Sequence, residues 1–388
     1  MTTFHRFDPS DCGFPAPRVP LLPVLRWRDF GMRRGAAAQP FDSPGVRHFA
    51  RGRYALREAF RIAGVGPQFA LLAPSYHCRT MFDPALALGG QVLFYAVDEN
   101  LRPNLDSIVA QLAKAATPVK ALIVTHYFGF RQPAASMDAL AALCRGNGIT
   151  LVEDCSHAFQ VALEQGPACA GQPGRMVVAS PYKFFAAPDG GTLWSSDAPT
   201  PSGASPRPGW FAEIKALMQT LARVRPGVTV APAVPPGAPE RRGSECIETG
   251  ELISNNYDRG HERLSSLALS RTLVRHARLS EAGALRRANY RRWVSAIAGL
   301  PGCRALWPDL PPECAPYMFP LLLAHPDPHF FQLKQLGLPI WRWDDMAAAG
   351  CEVADHLRLH LLHLPCHQSL SDAQMAWMAE SVAAVLAK

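Results

Sequence analysis

The chain has 388 residues, of which 48% are hydrophobic and 18% charged, and its formal net charge is +7. These values are those of an ordinary folded protein, and the length suits two lobes that share a cleft rather than one small core. The basic residues are scattered without a block of like charge, which does not favour nucleic-acid binding. The ten cysteines form no CxxC pair, which argues against a zinc module and a disulfide framework.

The N-terminal segment lacks the basic region and apolar run of a secretion signal. No later stretch approaches 18 uninterrupted apolar residues. We therefore expect a cytoplasmic protein without a membrane segment. Residues 1–45 carry many prolines and arginines with little periodicity, and we interpret them as an N-terminal arm.

A helix with a glycine near its start is predicted next, over residues 49–60. Leu56, Ala59 and Phe60 share one face of this helix, as in packing against a core. A helix that begins at Gly52 presents free backbone N–H groups, and one interpretation is a seat for a phosphate. The commoner alternative is a helix start that binds nothing.

From residue 69 onward, short apolar runs alternate with helical segments, which is typical of a parallel sheet with crossover helices. Strands are predicted at residues 69–74, 91–97, 119–126, 149–154 and 176–179. Open parallel sheets bind ligands beyond the carboxyl ends of their strands. Polar clusters follow four of these strands, at residues 75–78, 126–129, 154–157 and 180–183. We expect these clusters to converge on one edge of the sheet.

Two of these clusters, about thirty residues apart, have the composition of a pyridoxal phosphate (PLP) site. PLP requires a lysine that forms a Schiff base, an acid beside the ring nitrogen and a seat for the phosphate. Lys183 can supply the first and Asp154 the second, since a carboxylate favours the protonated ring. The remaining candidates are Gly52, Arg53, Tyr54 and Ser180 for the phosphate, and His157 for the phenolic oxygen.

Each of these residues has a simpler interpretation when it is taken alone. A lysine after an apolar strand is usually on the surface, an aspartate there is usually a helix cap, and a lone histidine is usually structural. The run Asp189-Gly190-Gly191 is a tight turn before it is a ligand contact. The order and spacing of the whole set favour the PLP site.

The second half of the chain predicts an insertion and a smaller lobe. Prolines interrupt residues 197–242, and we interpret this segment as an insertion over the cleft, with a disordered linker as the alternative. One long helix is predicted over residues 259–298, followed by strands at 317–323 and 338–341 and a final helix at 372–386. The predicted domains are 46–250, a large PLP-binding domain, and 251–388, an interdomain helix with a small C-terminal domain.

The motifs resemble the DegT/StrS-type nucleotide-sugar aminotransferases, which are fold type I PLP enzymes. The residues that carry the resemblance are Glu153-Asp154-x-x-His157-Ala158, Ser180-x-x-Lys183, Asp189-Gly190-Gly191, and residues 51–56 and 364–371. The resemblance implies an α/β fold, with a large domain built on a mainly parallel seven-stranded sheet flanked by helices and a smaller C-terminal α+β domain. It also implies a homodimer whose active sites lie at the subunit interface.

The resemblance assigns roles to individual residues. It implies that Lys183 forms the Schiff base, that Asp154 faces the ring nitrogen and that His157 contacts the phenolic oxygen. It places Gly52 and Arg53 in the phosphate loop. Asn256 is the candidate for the asparagine that reaches the phosphate bound by the neighbouring subunit.

Three departures from the family pattern concern the ring cover and the substrate. The residue aligned with the aromatic ring that covers PLP is Cys78, and the adjacent His77 is our preferred stacking residue. The segment before Lys183 is about two residues shorter than in the sugar enzymes. The insertion at 197–242 lies where the family contacts its substrate. These departures leave the cofactor site intact.

The function that the resemblance implies is a PLP-dependent aminotransferase. It would move an amino group from glutamate or glutamine to a keto group on a nucleotide-linked sugar or a related small molecule. Lys183 disfavours the dehydratase branch of the family, which carries histidine at that position. Two alternatives stay open: a PLP lyase or desulfurase with Cys246 as its reactive cysteine, and a catalytically silent PLP-binding regulator.

Overall fold

The computed structural model describes residues 3–26, 38–43, 45–169, 172–196, 206–223, 243–249 and 253–387. Its strands are β1 (Thr3–Asp8), β2 (Val46–Phe49), β3 (Ala70–Pro74), β4 (Gln91–Tyr95), β5 (Val119–Thr125), β6 (Thr150–Asp154), β7 (Arg175–Ala179), β8 (Gly191–Ser195), β9 (Ser244–Thr249), β10 (Cys303–Ala305), β11 (Met318–Leu323) and β12 (Leu361–Pro365). Its α-helices are α1 (Ala38–Phe41), α2 (Gly52–Ala63), α3 (Asp83–Ala87), α4 (Leu105–Lys114), α5 (Ala134–Gly146), α6 (Phe159–Cys169), α7 (Trp210–Ala222), α8 (Ala268–Arg275), α9 (Leu279–Ile297), α10 (Pro326–Gln335), α11 (Glu352–His360) and α12 (Asp372–Leu386).

The central element is a seven-stranded sheet with the order β2-β8-β7-β6-β5-β3-β4. Strands β3 to β7 run parallel to one another, and β8 and β2 add antiparallel pairs at one end. Every residue of β3 is buried, as expected for a strand covered by helices on both faces. The predicted α/β fold with a mainly parallel seven-stranded sheet is confirmed.

A second, antiparallel sheet has the order β10-β11-β12 and packs with α9, α10 and α12 around its own core. The predicted strand at residues 338–341 is wrong, because this segment makes only one bridge, between Trp341 and His363. Pro339 has no N–H to donate to a strand ladder, which disfavours a strand there. The strand that pairs with β11 is β12, whose leucines 361, 362 and 364 are buried.

The long helix predicted over residues 259–298 is also wrong, because the structure divides it into a short 3-10 turn, α8 and α9. Residues 276–278 separate the two α-helices. Arg278 adopts φ −85° and ψ 81°, outside the helical region, and serves as the N-cap of α9. The break lets α9 turn along the second sheet.

The N-terminal arm contains a strand that the sequence pattern did not predict. Strand β1 pairs with β9 in a two-stranded antiparallel sheet. Arg6 and Arg79 both form ion pairs with Glu248 of β9, and Phe4 is buried beneath the guanidinium of Arg79. These contacts join the arm to the segment that follows β3.

Of the proline-rich insertion predicted at 197–242, residues 206–223 are described and the rest lie outside the described residues. The described part contains α7. Glu213 of α7 accepts hydrogen bonds from the N–H groups of Ala268 and Leu269 at the start of α8. The large apolar residues of α7 face outward, and Trp210 and Phe211 are 75% and 70% exposed.

Across the described ranges, no helix is both long enough and apolar enough to cross a bilayer. Within the same ranges, no cluster of three or more His, Cys, Asp or Glu side chains is arranged to hold a metal ion.

Candidate active site

Three of the four predicted polar clusters meet at one cavity beyond the carboxyl ends of the parallel strands. The cavity is lined by the start of α2 and by the segments that follow β3, β6 and β7: Arg51, Gly52, Arg53, Leu56, His77, Cys78, Thr80, Met81, Asp154, Ser156, Ser180, Tyr182 and Lys183. The fourth cluster, at residues 126–129, contributes Phe128, which lies 5.7 Å from His157 between ring centroids. Parallel topology therefore brings together residues far apart in the sequence.

The start of α2 forms a cradle that only glycine fits. A Cβ atom on Gly52 would lie 2.1 Å from Oγ of Ser180. Ser180 Oγ in turn donates to Ser156 Oγ at 3.0 Å. The first N–H groups of a helix have no partner within the helix, so those of Gly52 and Arg53 are available to an anion. Two hydroxyls and a helix N-terminus thus surround one point of the cavity.

Tyr54 contributes less to this seat than its position in the sequence indicated. Its N–H donates to the carbonyl of Arg51 at 3.1 Å, inside the first turn. Its hydroxyl accepts from the N–H of Asp258 at 3.3 Å, and its ring packs against Tyr257. Tyr54 therefore joins α2 to the segment that follows β9, and it is not among the described residues that line the cavity.

Asp154, at the end of β6, is the buried acid of the site. Its Oδ2 accepts from His77 Nε2 at 3.1 Å and its Oδ1 from the N–H of Ser156 at 2.8 Å. Burial alone would raise the pKa of Asp154, but the hydrogen bonds from His77 and Ser156 and the charge of Lys183 hold it below its usual value. The carboxylate is therefore ionised at neutral pH.

His77 lies between Asp154 and Cys78. Burial opposes its protonation, but the neighbouring Cys78 and Asp154 raise the pKa of His77 to about 9. One face of its ring stacks on Trp343, with centroids 4.8 Å apart and planes at 27°. His77, the predicted ring cover, is thus itself covered by a tryptophan.

Lys183 follows β7 in a single 3-10 turn, Pro181–Lys183, and lines the cavity. Its Nζ lies 5.4 Å from the centroid of the Tyr317 ring. The carbonyls of Lys183 and Phe184 accept from the guanidinium of Arg286 at 3.4 and 3.1 Å. A buried arginine on α9 therefore fixes the turn that presents the lysine.

His157 is 4% exposed and neutral. Its ring stacks on Tyr317 with centroids 4.4 Å apart. Burial, aided by the charges of Lys183 and His77, lowers its pKa well below the usual value. Among the described residues, His157 Nδ1 has no hydrogen-bond partner. An unpaired buried nitrogen is a group that a ligand oxygen would satisfy. His157 itself is not among the described residues that line the cavity.

Asn256 and Cys246 lie outside this cavity. Asn256 is exposed, and its backbone carbonyl accepts a hydrogen bond from Arg53. Cys246 is exposed on β9, opposite Arg6. Neither side chain is among the described residues that line the cavity around Lys183.

Three residues of the site were not found from the sequence: Tyr317, Trp343 and Arg286. Tyr317 precedes β11, Trp343 lies in a loop before α11, and Arg286 belongs to α9. All three come from the second half of the chain and reach the site through the packing of the small sheet against the large one. For these three residues, the sequence offers one signal, the closely spaced aromatic pair Trp341 and Trp343. No local pattern predicts that this pair packs near Asp154.

Part of the chain matches a known protein family. Residues 48–201 match the model of the DegT/DnrJ/EryC1/StrS aminotransferase family. The matched region holds every residue that lines the cavity, and the resemblance seen in the motifs is confirmed. DegT/DnrJ/EryC1/StrS aminotransferases are PLP-dependent.

Curated relatives match this chain over part of their length. A UDP-N-acetyl-3-dehydro-alpha-D-glucosamine 3-aminotransferase from Acidithiobacillus ferrooxidans is 28% identical over 170 residues, which cover 42% of this chain and 44% of the relative. An L-glutamine:2-deoxy-scyllo-inosose aminotransferase from Streptomyces lividus is 27% identical over 249 residues, which cover 60% of this chain and 51% of the relative. The chain thus spans about half the length of these curated relatives.

Solved aminotransferase structures share the fold over most of the chain. The aminotransferase TlmJ from Streptoalloteichus hindustanus superimposes with a TM-score of 0.58 at 22% identity, covering 88% of this chain and 86% of that one. The putative sugar aminotransferase Spr1654 from Streptococcus pneumoniae, in its PMP form, gives a TM-score of 0.59 at 13% identity, covering 97% and 92%. The chain therefore shares the fold of these solved aminotransferases.

Proposed function

We propose that this protein is a PLP-dependent aminotransferase and that the Lys183 cavity is its active site. The observation that carries the proposal is the meeting of Lys183, the ionised Asp154 and the α2 N-terminus in one cavity. PLP, when bound, supplies an electron sink that lets an amino group leave one substrate and join another. A lysine, a carboxylate and an anion seat are the three groups that this cofactor requires.

The residues fit the cofactor at three points. The cradle at Gly52, with the hydroxyls of Ser156 and Ser180, suits a phosphate. The anionic Asp154 suits a protonated ring nitrogen. The unpaired Nδ1 of His157 suits the ring's phenolic oxygen.

Lys183 would bind the cofactor and then move the proton of the reacting carbon, because its flexible stem places an amine in the cavity. The turn held by Arg286 would keep that amine in place. Asp154, held in turn by His77 and Ser156, would keep the proton on the ring nitrogen. Trp343 and Tyr317 would exclude water behind His77 and His157.

The names of the relatives support the substrates that we propose. One is named for glutamine and a keto-bearing cyclitol and another for a keto sugar nucleotide, so we propose glutamate or glutamine as donor and a keto sugar or related small molecule as acceptor. A homodimer belongs to the proposal, with the exposed Asn256 beside Arg53 reaching the neighbour's phosphate. A cytoplasmic location belongs to it as well, supported by ten free cysteines.

The test is the absorbance spectrum of the purified protein with PLP, before and after addition of glutamate or glutamine. We expect a visible band that an amino donor shifts to the near ultraviolet, and that Lys183→Ala abolishes. Lys120→Ala is the matched control, because Lys120 packs on Phe69 outside the cavity. Absence of the band in the wild type would refute the proposal.

Two other experimental results would favour a different function for the Lys183 cavity. Release of sulfide or alanine from cysteine would favour the lyase or desulfurase alternative. A band that no amino donor shifts would favour a silent PLP-binding regulator. Amino transfer to a keto sugar, with the visible band restored, separates the aminotransferase from both.

A further inference from the structure

We propose that Cys78, held by His77 and Thr80 in the wall of the Lys183 cavity, is a nucleophilic thiolate that reacts with small electrophiles and disulfides entering the cavity. This inference goes beyond the proposed aminotransferase function. It rests on the protein alone, and only the shielding experiment below involves the cofactor.

The geometry is that of an activated nucleophile. Cys78 Sγ lies 3.4 Å from His77 Nδ1 and 3.1 Å from Thr80 Oγ1. The other ring nitrogen of His77 donates to Asp154 at 3.1 Å. A thiol beside a histidine that a carboxylate orients is the arrangement by which proteins generate a nucleophilic sulfur. Here the base precedes the nucleophile directly in sequence.

The charges around Cys78 favour the thiolate. His77 and Lys183 face it as cations, and the phenols of Tyr76 and Tyr317 face it in their neutral form, since burial raises the pKa of both. Burial opposes ionisation of Cys78, but His77 lowers the pKa of its thiol to about 7, with smaller contributions from Lys183 and Thr80. At pH 7 about half of the thiol is therefore ionised, beside the imidazolium of His77.

Access to the cavity together with a lowered pKa distinguishes Cys78 from the other cysteines. It is half-buried and lines the cavity. Burial raises the pKa of the half-buried Cys303 and of several buried thiols, namely Cys12, Cys144, Cys155, Cys314 and Cys366. Cys246 is exposed on β9 and serves as an internal reference for a surface thiol.

Cys78 can react with two kinds of electrophile, a haloacetamide or a disulfide, and neither reaction needs a further reactant. With a haloacetamide, the sulfur of Cys78 forms a C–S bond and the halide leaves with the bonding electrons. With a disulfide, a new S–S bond forms to one sulfur and the other sulfur leaves as a thiolate, so that the attacking cysteine is oxidised and the leaving half reduced. His77 keeps its proton when a halide leaves, and it can donate that proton to the leaving thiolate after attack on a disulfide.

The experiment is time-limited alkylation with iodoacetamide between pH 5.5 and 9, with each cysteine followed by peptide mass spectrometry. At pH 7 we expect Cys78 to be alkylated about tenfold faster than Cys246, with a midpoint near pH 7. His77→Asn should slow Cys78 alkylation at pH 7 about tenfold and move the midpoint upward. Thr80→Val, which keeps His77, should give a smaller shift and guards against misfolding of the first variant.

Two results would overturn the inference. One is alkylation of Cys78 no faster than that of Cys246 at pH 7. The other is an unchanged pH profile in a folded His77→Asn variant, with folding checked by circular dichroism.

Added PLP separates this inference from the proposed function. If the visible band forms, PLP should slow alkylation of Cys78 and leave Cys246 unaffected, and equal rates for Cys78 with and without PLP would contradict its place in the cavity wall. If no band forms but Cys78 still reacts with a midpoint near pH 7, the cofactor proposal fails and the thiolate stands.

Discussion

At Gly52, a single added methyl group would fill the space of the proposed anion site. Its missing Cβ leaves room for Oγ of Ser180, which would otherwise lie 2.1 Å away. The backbone there is an ordinary helix start, so the glycine is explained by close approach rather than by backbone conformation. The N–H groups and hydroxyls beside it form the part of the site that we propose binds the phosphate of PLP.

Gly52→Ala should therefore weaken PLP binding without unfolding the protein. The added methyl group displaces the Ser180 hydroxyl and covers the N–H groups, and we expect a loss of at least about tenfold in affinity, or about 1.4 kcal/mol. The measurement is a PLP titration followed by absorbance. Gly146→Ala is the matched control, because a Cβ at Gly146 meets nothing within 4 Å. Equal affinity in the two variants would remove the phosphate from this seat.

Helix α9 connects the lysine turn to the small sheet. Arg286, on α9, is 1% exposed and donates to the carbonyls of Pro316, Tyr317, Lys183 and Phe184 and to Gln368 Oε1. Burial lowers its pKa to about 10, so the guanidinium stays charged at neutral pH. One side chain thus satisfies acceptors from both halves of the chain.

Arg286→Ala should be strongly destabilising. Removing the guanidinium leaves several buried carbonyls without a donor and opens a cavity, at an expected cost of about 3 kcal/mol in the free energy of unfolding. Arg292→Ala on the same helix is the control, since Arg292 makes an exposed pair with Asp372 and should cost less than about 1 kcal/mol. Urea unfolding measures both. Similar losses in the two variants would mean that Arg286 does not hold the lysine turn.

Local sequence patterns predict the elements whose signals lie within a few residues of one another. The parallel strands and their polar ends were found because apolar runs and strand-end residues lie within a few positions of one another. The break between α8 and α9 was missed because leucines continue across residues 276–278. The pairing of β1 with β9 was missed because its partners lie more than 230 residues apart, where no local signal exists.

The same division holds for the site. Lys183, Asp154 and Gly52 lie at strand ends or a helix start, so topology alone brings them together. Trp343 and Arg286 reach the site through packing between two sheets, and that packing is a property of the whole chain. Cys78 was found as a departure from the family pattern, but its pairing with His77 and Thr80 required coordinates.

At the scale of the whole molecule, buried neutral histidines make stability depend on pH. Burial lowers the pKa of His48 to about 4 and of His363 and His367 to about 3, and it lowers that of His157 as well. The unfolded chain takes up protons near the usual value of 6.5, and the folded chain does not. The stability that these histidines contribute is therefore fully present above pH 6.5, and it falls as the pH drops below that value.

One histidine can change the free energy of unfolding by about 1.4 kcal/mol per pH unit. Because several histidines act together, we expect a steeper fall than this between pH 6.5 and 5. Urea unfolding at several pH values measures the slope. His48→Phe, which keeps a ring against Phe41, should reduce it by about the contribution of one proton. A flat profile over this range would contradict the burial of these rings.

His77 acts in the opposite direction. Its pKa is raised to about 9, so its stabilisation is complete below pH 6.5 and is lost as the pH rises through about 9. The partner thiol Cys78 offsets much of this loss, because its pKa is lowered to about 7 and its contribution grows as the pH rises toward the usual value of 9.

The central claim is that Lys183 binds PLP covalently, and the most direct measurement is borohydride reduction of the protein with PLP followed by peptide mass spectrometry. Reduction makes a lysine–cofactor bond permanent. The account predicts that the peptide containing Lys183 gains the mass of the reduced cofactor, with no gain at Lys120 and none in Lys183→Ala. Labelling of another lysine, or of none in the folded wild-type protein, would contradict it.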